Sequence, residues 1–214
     1  MICGNSGLHD SAGHGSAFPD WVLMVPESPT TNLQTPAPRP GAFRFLARSE
    51  QDTRRLGAAL AECLPAGTTV ALIGTLGAGK TRLVQALAVA LGVPPDTVVS
   101  PTFVLCQPYA GRRRLYHLDA YRLRDDDEFL QLGPEEYFDS DGITLVEWAD
   151  RVRACLPPER VEIQIAVTGS ESRVFCVEAI GARYVAVVED LTRRLTEDDE
   201  QDRESPVGPP LHCA

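Results

Sequence analysis

An α/β fold is predicted for this chain of 214 residues, and three observations carry it. Val70-Ala71-Leu72-Ile73 is a short apolar run of the kind a buried parallel strand shows, and Arg82 to Leu91 place apolar side chains at helical spacing without glycine or proline. Between them stands a glycine-rich loop, Gly74-Thr75-Leu76-Gly77-Ala78-Gly79-Lys80-Thr81. Towards the C-terminus, Val161–Val167 and Ser172–Ala179 alternate cleanly and are joined by Thr168-Gly169-Ser170-Glu171, the pattern of an antiparallel hairpin.

The remaining elements follow in order. Residues 1–41 are rich in Ser, Gly and Pro, as in Pro36-Ala37-Pro38-Arg39-Pro40, and are expected to form a disordered extension with one apolar island at Trp21–Val25. The folded part, 42–195, opens with the alternating strand Phe43–Ala47. Ser49 then caps a helix whose apolar face is Leu56, Ala59, Leu60 and Cys63, and Pro65-Ala66-Gly67 stops it. Gly92 and Pro94-Pro95 close the helix after the loop. Leu115–Leu123 reads as a strand ending in polar groups, residues 125–137 as two short helices broken at Gly133-Pro134, and Ile143–Glu147 as an apolar strand ending in an acid. A last helix over about 182–195 leads into an acidic tail, 196–214, expected to be disordered.

Composition narrows the function. A hydrophobic fraction of 43% and no apolar run of membrane length predict a soluble protein, and the lack of a secretory pattern makes the cytoplasm the expected compartment. The six cysteines are spaced too widely for a metal or redox pair. A net charge of -10 argues against broad direct binding to a nucleic-acid backbone.

The loop carries the chemistry. Two glycines bracket four residues and a lysine and a threonine follow, between a strand and a helix, which is the full P-loop (Walker A) pattern of an NTPase-like fold. Successive backbone N–H groups there turn inward on one anion, with the positive end of a helix behind them. Lys80 is placed to reach terminal phosphates and Thr81 to complete the shell of a magnesium ion. Asp119, at the end of its strand, lies where open α/β sheets bind ligands and is a candidate for positioning the attacking water or a metal-bound water. His117, two residues earlier on the same sheet face, reads as a hydrogen-bonded core histidine. Glu147 has the layout of a Walker B acid. Two readings of Ser100-Pro101-Thr102 stand side by side: a plain turn, or a switch whose Thr102 hydroxyl senses the terminal phosphate.

Five blocks in this order and spacing resemble one family, the small ATPase of bacterial tRNA threonylcarbamoyladenosine synthesis, TsaE. They are Thr53-Arg54-Arg55-Leu56-Gly57, the loop at 74–81, Ser100-Pro101-Thr102-Phe103, Tyr116–Leu123 and Val146-Glu147-Trp148. The resemblance spans roughly residues 43–180. It implies a P-loop α/β domain with a mainly parallel sheet, finished by antiparallel strands. It further implies nucleotide contacts from Thr53, Gly74, Leu76, Gly77, Ala78, Gly79, Lys80, Thr81, Asp119 and Trp148, magnesium held by Thr81 and Glu147, and catalytic roles for Asp119, Lys80 and Thr102. The implied activity is weak Mg2+-dependent ATP hydrolysis that resets the TsaB–TsaD pair, which modifies adenosine 37 of tRNAs reading codons that begin with A. Contact with tRNA is then indirect, through the complex, and no membrane is involved.

The chain departs from the family pattern at Thr75, where an acid is common, at Arg82, which replaces a frequent second threonine, and at Ala149, where proline or serine is common. Two other functions use similar parts. A small-molecule kinase also combines a P-loop with a strand-end aspartate, but its lid would have to come from Arg112-Arg113-Arg114. A guanine-nucleotide switch would need an Asn-Lys-x-Asp or Thr-Lys-x-Asp stretch, and the sequence has neither.

Overall fold

The computed structural model describes residues 41–101 and 105–204. The expected extension at 1–41 thus lies, apart from Gly41, outside the described residues, as do Thr102 and residues 205–214.

Among these residues seven strands form one sheet in the order β1-β7-β6-β2-β5-β4-β3: β1 Ala42–Ala47, β2 Thr68–Gly74, β3 Cys106–Ala110, β4 Arg114–Asp119, β5 Ile143–Glu147, β6 Arg160–Val167 and β7 Arg173–Ile180. The centre, β6-β2-β5-β4, is parallel, and β2 is buried along its whole length as its unbroken apolar run requires. β6 and β7 form the predicted hairpin, and β1 adds antiparallel to β7. At the other edge, β3 pairs antiparallel with β4 and carries Pro108. A proline is tolerated there because an edge strand has only one neighbour to bond.

Among the described residues five α-helices accompany the sheet: α1 Glu50–Cys63, α2 Lys80–Ala90, α3 Asp126–Leu130, α4 Glu135–Phe138 and α5 Val185–Glu204. α1, α2 and α5 share a core with one sheet face, in which Leu56, Leu60, Leu83, Leu87, Val188 and Leu191 meet Leu72, Leu145, Ile163 and Phe175. A smaller core on the opposite face joins Ala71, Ile73, Leu118 and Val146 to Phe129 and to Val152 of the 3-10 segment Ala149–Cys155. α5 runs past the expected boundary near 195, so Glu197-Asp198-Asp199-Glu200, assigned from composition to a disordered tail, has helical backbone. No glycine or proline interrupts the chain between Val185 and Glu204; the first is Pro206. None of the helices among the described residues is long and apolar enough to cross a membrane.

Candidate functional site

β2, β4 and β5 run parallel, so their C-terminal ends open at one edge of the sheet. The register sets Asp119 beside Glu147, and Glu147 beside Leu72, two residues before the loop. The two acids and the glycine loop, separated widely in sequence, therefore share one rim.

The loop's glycines serve different needs. Gly77 and Gly79 have φ of 77° and 107°, with nothing within 4 Å of an added Cβ, so their left-handed backbone is what excludes other residues. At Gly74 the constraint is space, because a Cβ would lie 2.8 Å from the Ile165 carbonyl oxygen on β6. The two helices at the site also begin differently. Ser49 and Asp52 close a capping box on α1, whereas α2 starts from Gly79 with no side-chain cap and no acid in its first turn. The first N–H groups of α2 are left for an anion.

Lys80 is 4% exposed and its Nζ donates to the carbonyls of Gly74 at 2.7 Å and Thr75 at 3.1 Å, while lying 3.6 Å from the centroid of the Trp148 ring. Burial lowers its pKa from the ordinary 10.5, and the carboxylates of Glu147, Asp119 and Asp150 pull the other way. Trp148 adopts a left-handed backbone, φ 58°, and its ring packs against Tyr121 with centroids 4.8 Å apart and planes tilted by 39°.

Thr81 Oγ1 donates to Glu147 Oε1 at 2.7 Å, and His117 Nε2 meets the same oxygen at 2.8 Å. Asp119 Oδ2 accepts from Ser100 Oγ at 3.0 Å and Oδ1 from the Tyr121 N–H at 2.8 Å. Ser100 belongs to the irregular segment 97–101, which is tied down by Gln85 Nε2 donating to the Val98 carbonyl and Tyr109 Oη donating to the Val99 carbonyl. The switch-or-turn question rests on Thr102, outside the described residues.

The donor set suits magnesium. Glu147 and Thr81 offer a hard carboxylate and a hydroxyl oxygen, and among the described residues no three His, Cys, Asp or Glu side chains gather as a self-sufficient metal cage. Magnesium is commonly held by one or two protein oxygens, with substrate phosphates and water completing the octahedron.

On the other flank of the loop is a cleft of about 370 Å³. It is lined by the cap Ser49 with Glu50 and Thr53 of α1, by Gly77, Ala78, Gly79 and Arg82, and by Ser170, Glu171, Arg173 and Phe175 of the β6–β7 hairpin. Thr53 thus shares a wall with the loop, although 21 positions separate it from Gly74. Leu76 stands 77% exposed at the loop tip, so only its backbone is suited to a phosphate. Sequence reasoning missed Glu50, Arg82 and the hairpin residues of this cleft. The sequence gives Glu50 no role beyond following the helix cap Ser49, and Ser170-Glu171 only that of a turn; their approach to the loop depends on long-range strand pairing.

The Arg112-Arg113-Arg114 turn is no lid. Arg113 donates to the Leu64 and Ala61 carbonyls at the C-terminus of α1, and Arg112 pairs with Glu62 at 3.1 Å. Arg112 and Arg113 lead into β4, whose first residue is Arg114, at the opposite end of the strand from Asp119.

Against families of known proteins, residues 47–175 match the model described as threonylcarbamoyl adenosine biosynthesis protein TsaE. The chain belongs to the TsaE family. A protein of Treponema pallidum named tRNA threonylcarbamoyladenosine biosynthesis protein TsaE is 40% identical over 135 residues, covering 63% of this chain and 99% of that one. Its namesake in Bacillus subtilis is 38% identical over 144 residues, covering 67% and 89%. Among solved structures, the crystal structure of Bacillus subtilis YdiB superposes with a TM-score of 0.63 at 32% identity, over 72% of this chain and 95% of that one. The mixed sheet with a parallel centre is thus the P-loop NTPase-like fold of a TsaE relative.

Proposed function

We propose that this chain is a weak Mg2+-dependent ATPase that serves tRNA threonylcarbamoyladenosine formation by binding a TsaB–TsaD pair and resetting it with ATP. The observation that carries the reading is the meeting of Lys80, Thr81, Glu147 and Asp119 at the end of the parallel strands, beside an uncapped helix and a glycine loop. Loop amides Leu76 to Thr81, with Lys80, grip the phosphates; Thr53 and its cleft take the nucleoside; Trp148 covers the lysine. Asp119, held at both oxygens by Ser100 and the Tyr121 amide, orients the water that attacks the terminal phosphate; a catalytic role for Thr102 is carried by the family resemblance alone. Thr81 and Glu147 hold magnesium, which neutralises charge on the phosphates.

The engagement of Arg113 with α1 removes the lid that a kinase would need, and this favours the ATPase reading over phosphotransfer to a small molecule. The net charge of -10 fits a tRNA contact made through partners in the cytoplasm rather than by this chain directly. A pull-down with TsaB and TsaD, with and without ATP, tests the reading. Association that depends on nucleotide supports it, and no association under either condition overturns it.

A further inference from the structure

His117 is fully buried on β4, and its imidazole Nε2 lies 2.8 Å from Glu147 Oε1, the oxygen that also accepts from Thr81. Its other nitrogen, Nδ1, has no hydrogen-bond partner. A carboxylate can only accept, so the geometry calls for the proton on Nε2, with Nδ1 as the unpaired acceptor. A ring whose only hydrogen bond is to this carboxylate, set between the buried Tyr116 and Leu118, is not accounted for by packing: leaving a buried nitrogen unpaired costs stability that an aliphatic side chain would not.

We propose that His117 is a positioning residue that fixes the Glu147 carboxylate for magnesium. Two donors converge on Oε1, from Thr81 on α2 and His117 on β4, and together they set the rotation of the carboxylate. Oε2 has no protein partner among the described residues and is the oxygen left for the metal. Hydrogen bonds behind metal ligands act in this way, and their loss typically weakens metal affinity about 10- to 100-fold. This inference rests on Glu147 being a magnesium ligand, as proposed above.

The test uses the full chain with ADP, following nucleotide binding by calorimetry across a magnesium titration and in EDTA. For His117→Leu we expect the half-saturating magnesium concentration to rise about tenfold or more, with nucleotide affinity in EDTA unchanged. His117→Gln, which keeps an N–H donor on a side chain of similar reach, should recover part of that loss. A His117→Leu protein that titrates magnesium like the wild type, while Glu147→Gln loses magnesium dependence, overturns the role of His117 and leaves the metal site standing. Unaltered magnesium dependence in Glu147→Gln overturns both. Ring 15N shifts of the wild-type histidine supply a check that needs no variant: a proton on Nδ1 rather than Nε2 contradicts the inference outright.

Discussion

Gly57 sits in the middle of α1, where helix propensity and packing predict opposite signs for Gly57→Ala. Propensity favours alanine by about 1 kcal/mol. Packing opposes it, because a Cβ at Gly57 would overlap the Ala86 Cβ and lie 2.8 Å from the Ala86 carbonyl carbon and the Leu87 nitrogen. Two of these atoms are α2 backbone, so no rotamer change relieves the contact and the helices must move apart. Overpacking of this kind costs typically about 1–3 kcal/mol, and contact with backbone puts this case at the upper end. The expected net loss is about 2 kcal/mol, or roughly 4–8 °C in unfolding midpoint for a chain of this size. The same movement separates Thr53 on α1 from the loop that starts α2, so nucleotide affinity should fall with stability. Thermal and urea unfolding, with calorimetric ADP binding on the folded variant, measure both. An unchanged or raised midpoint refutes the argument that close helix approach, and not flexibility, demands glycine here.

Three further outcomes are expected. If Lys80 binds phosphate as proposed, Lys80→Ala should lose a charge-assisted contact of about 2 kcal/mol, roughly 30-fold in Kd, whereas Asp119→Ala should retain ATP binding and lose hydrolysis; calorimetry and phosphate release separate the two. Arg113→Ala should lower stability by on the order of 1 kcal/mol in denaturant unfolding while leaving ADP affinity unchanged, and weaker ADP binding would restore the lid reading. Burial, with the Asp190 carboxylate beside it, pushes the Cys63 thiol up from 9.0 to about 12, and burial pushes Cys176 up to about 11. Above pH 9 the unfolded thiols ionise while the folded ones keep their protons, so stability present below pH 9 should fall as pH rises from 9 towards 11–12. Denaturant midpoints of Cys63→Ser and Cys176→Ser should be less steep in that range than those of the wild type.

The parts of the site that lie in one continuous stretch were legible from the residues. The loop, its flanking strand and helix, and the acids ending β4 and β5 each announce themselves within about ten positions, because period and punctuation are local signals. Glu50, Arg82 and Ser170 could not be placed at a common cleft in this way, since only the pairing of β1 with β7 and of β6 with β2 brings them together. His117 was legible as a buried, hydrogen-bonded side chain; that its partner is Glu147, 30 positions away, was not. The length of α5 was misjudged for a different reason. Acidic composition was read as disorder, although continuous helical backbone needs only the absence of breakers.

The first and last strands lie side by side. β1 is the edge partner of β7, and α5 then returns to bury Val188, Leu191 and Leu195 against the same core. A fragment trimmed to 47–175, the span that matches the family, would lose five of the six residues of β1, five of the eight of β7 and the whole of α5. That would strip Val188, Leu191 and Leu195 from the core that holds Leu56, Leu60 and Phe175, and would leave the hairpin wall of the cleft, Ser170 to Phe175, with only a stub of β7 behind it. The smallest self-standing piece is therefore wider than the recognisable motif at both ends, reaching from Gly41 into α5.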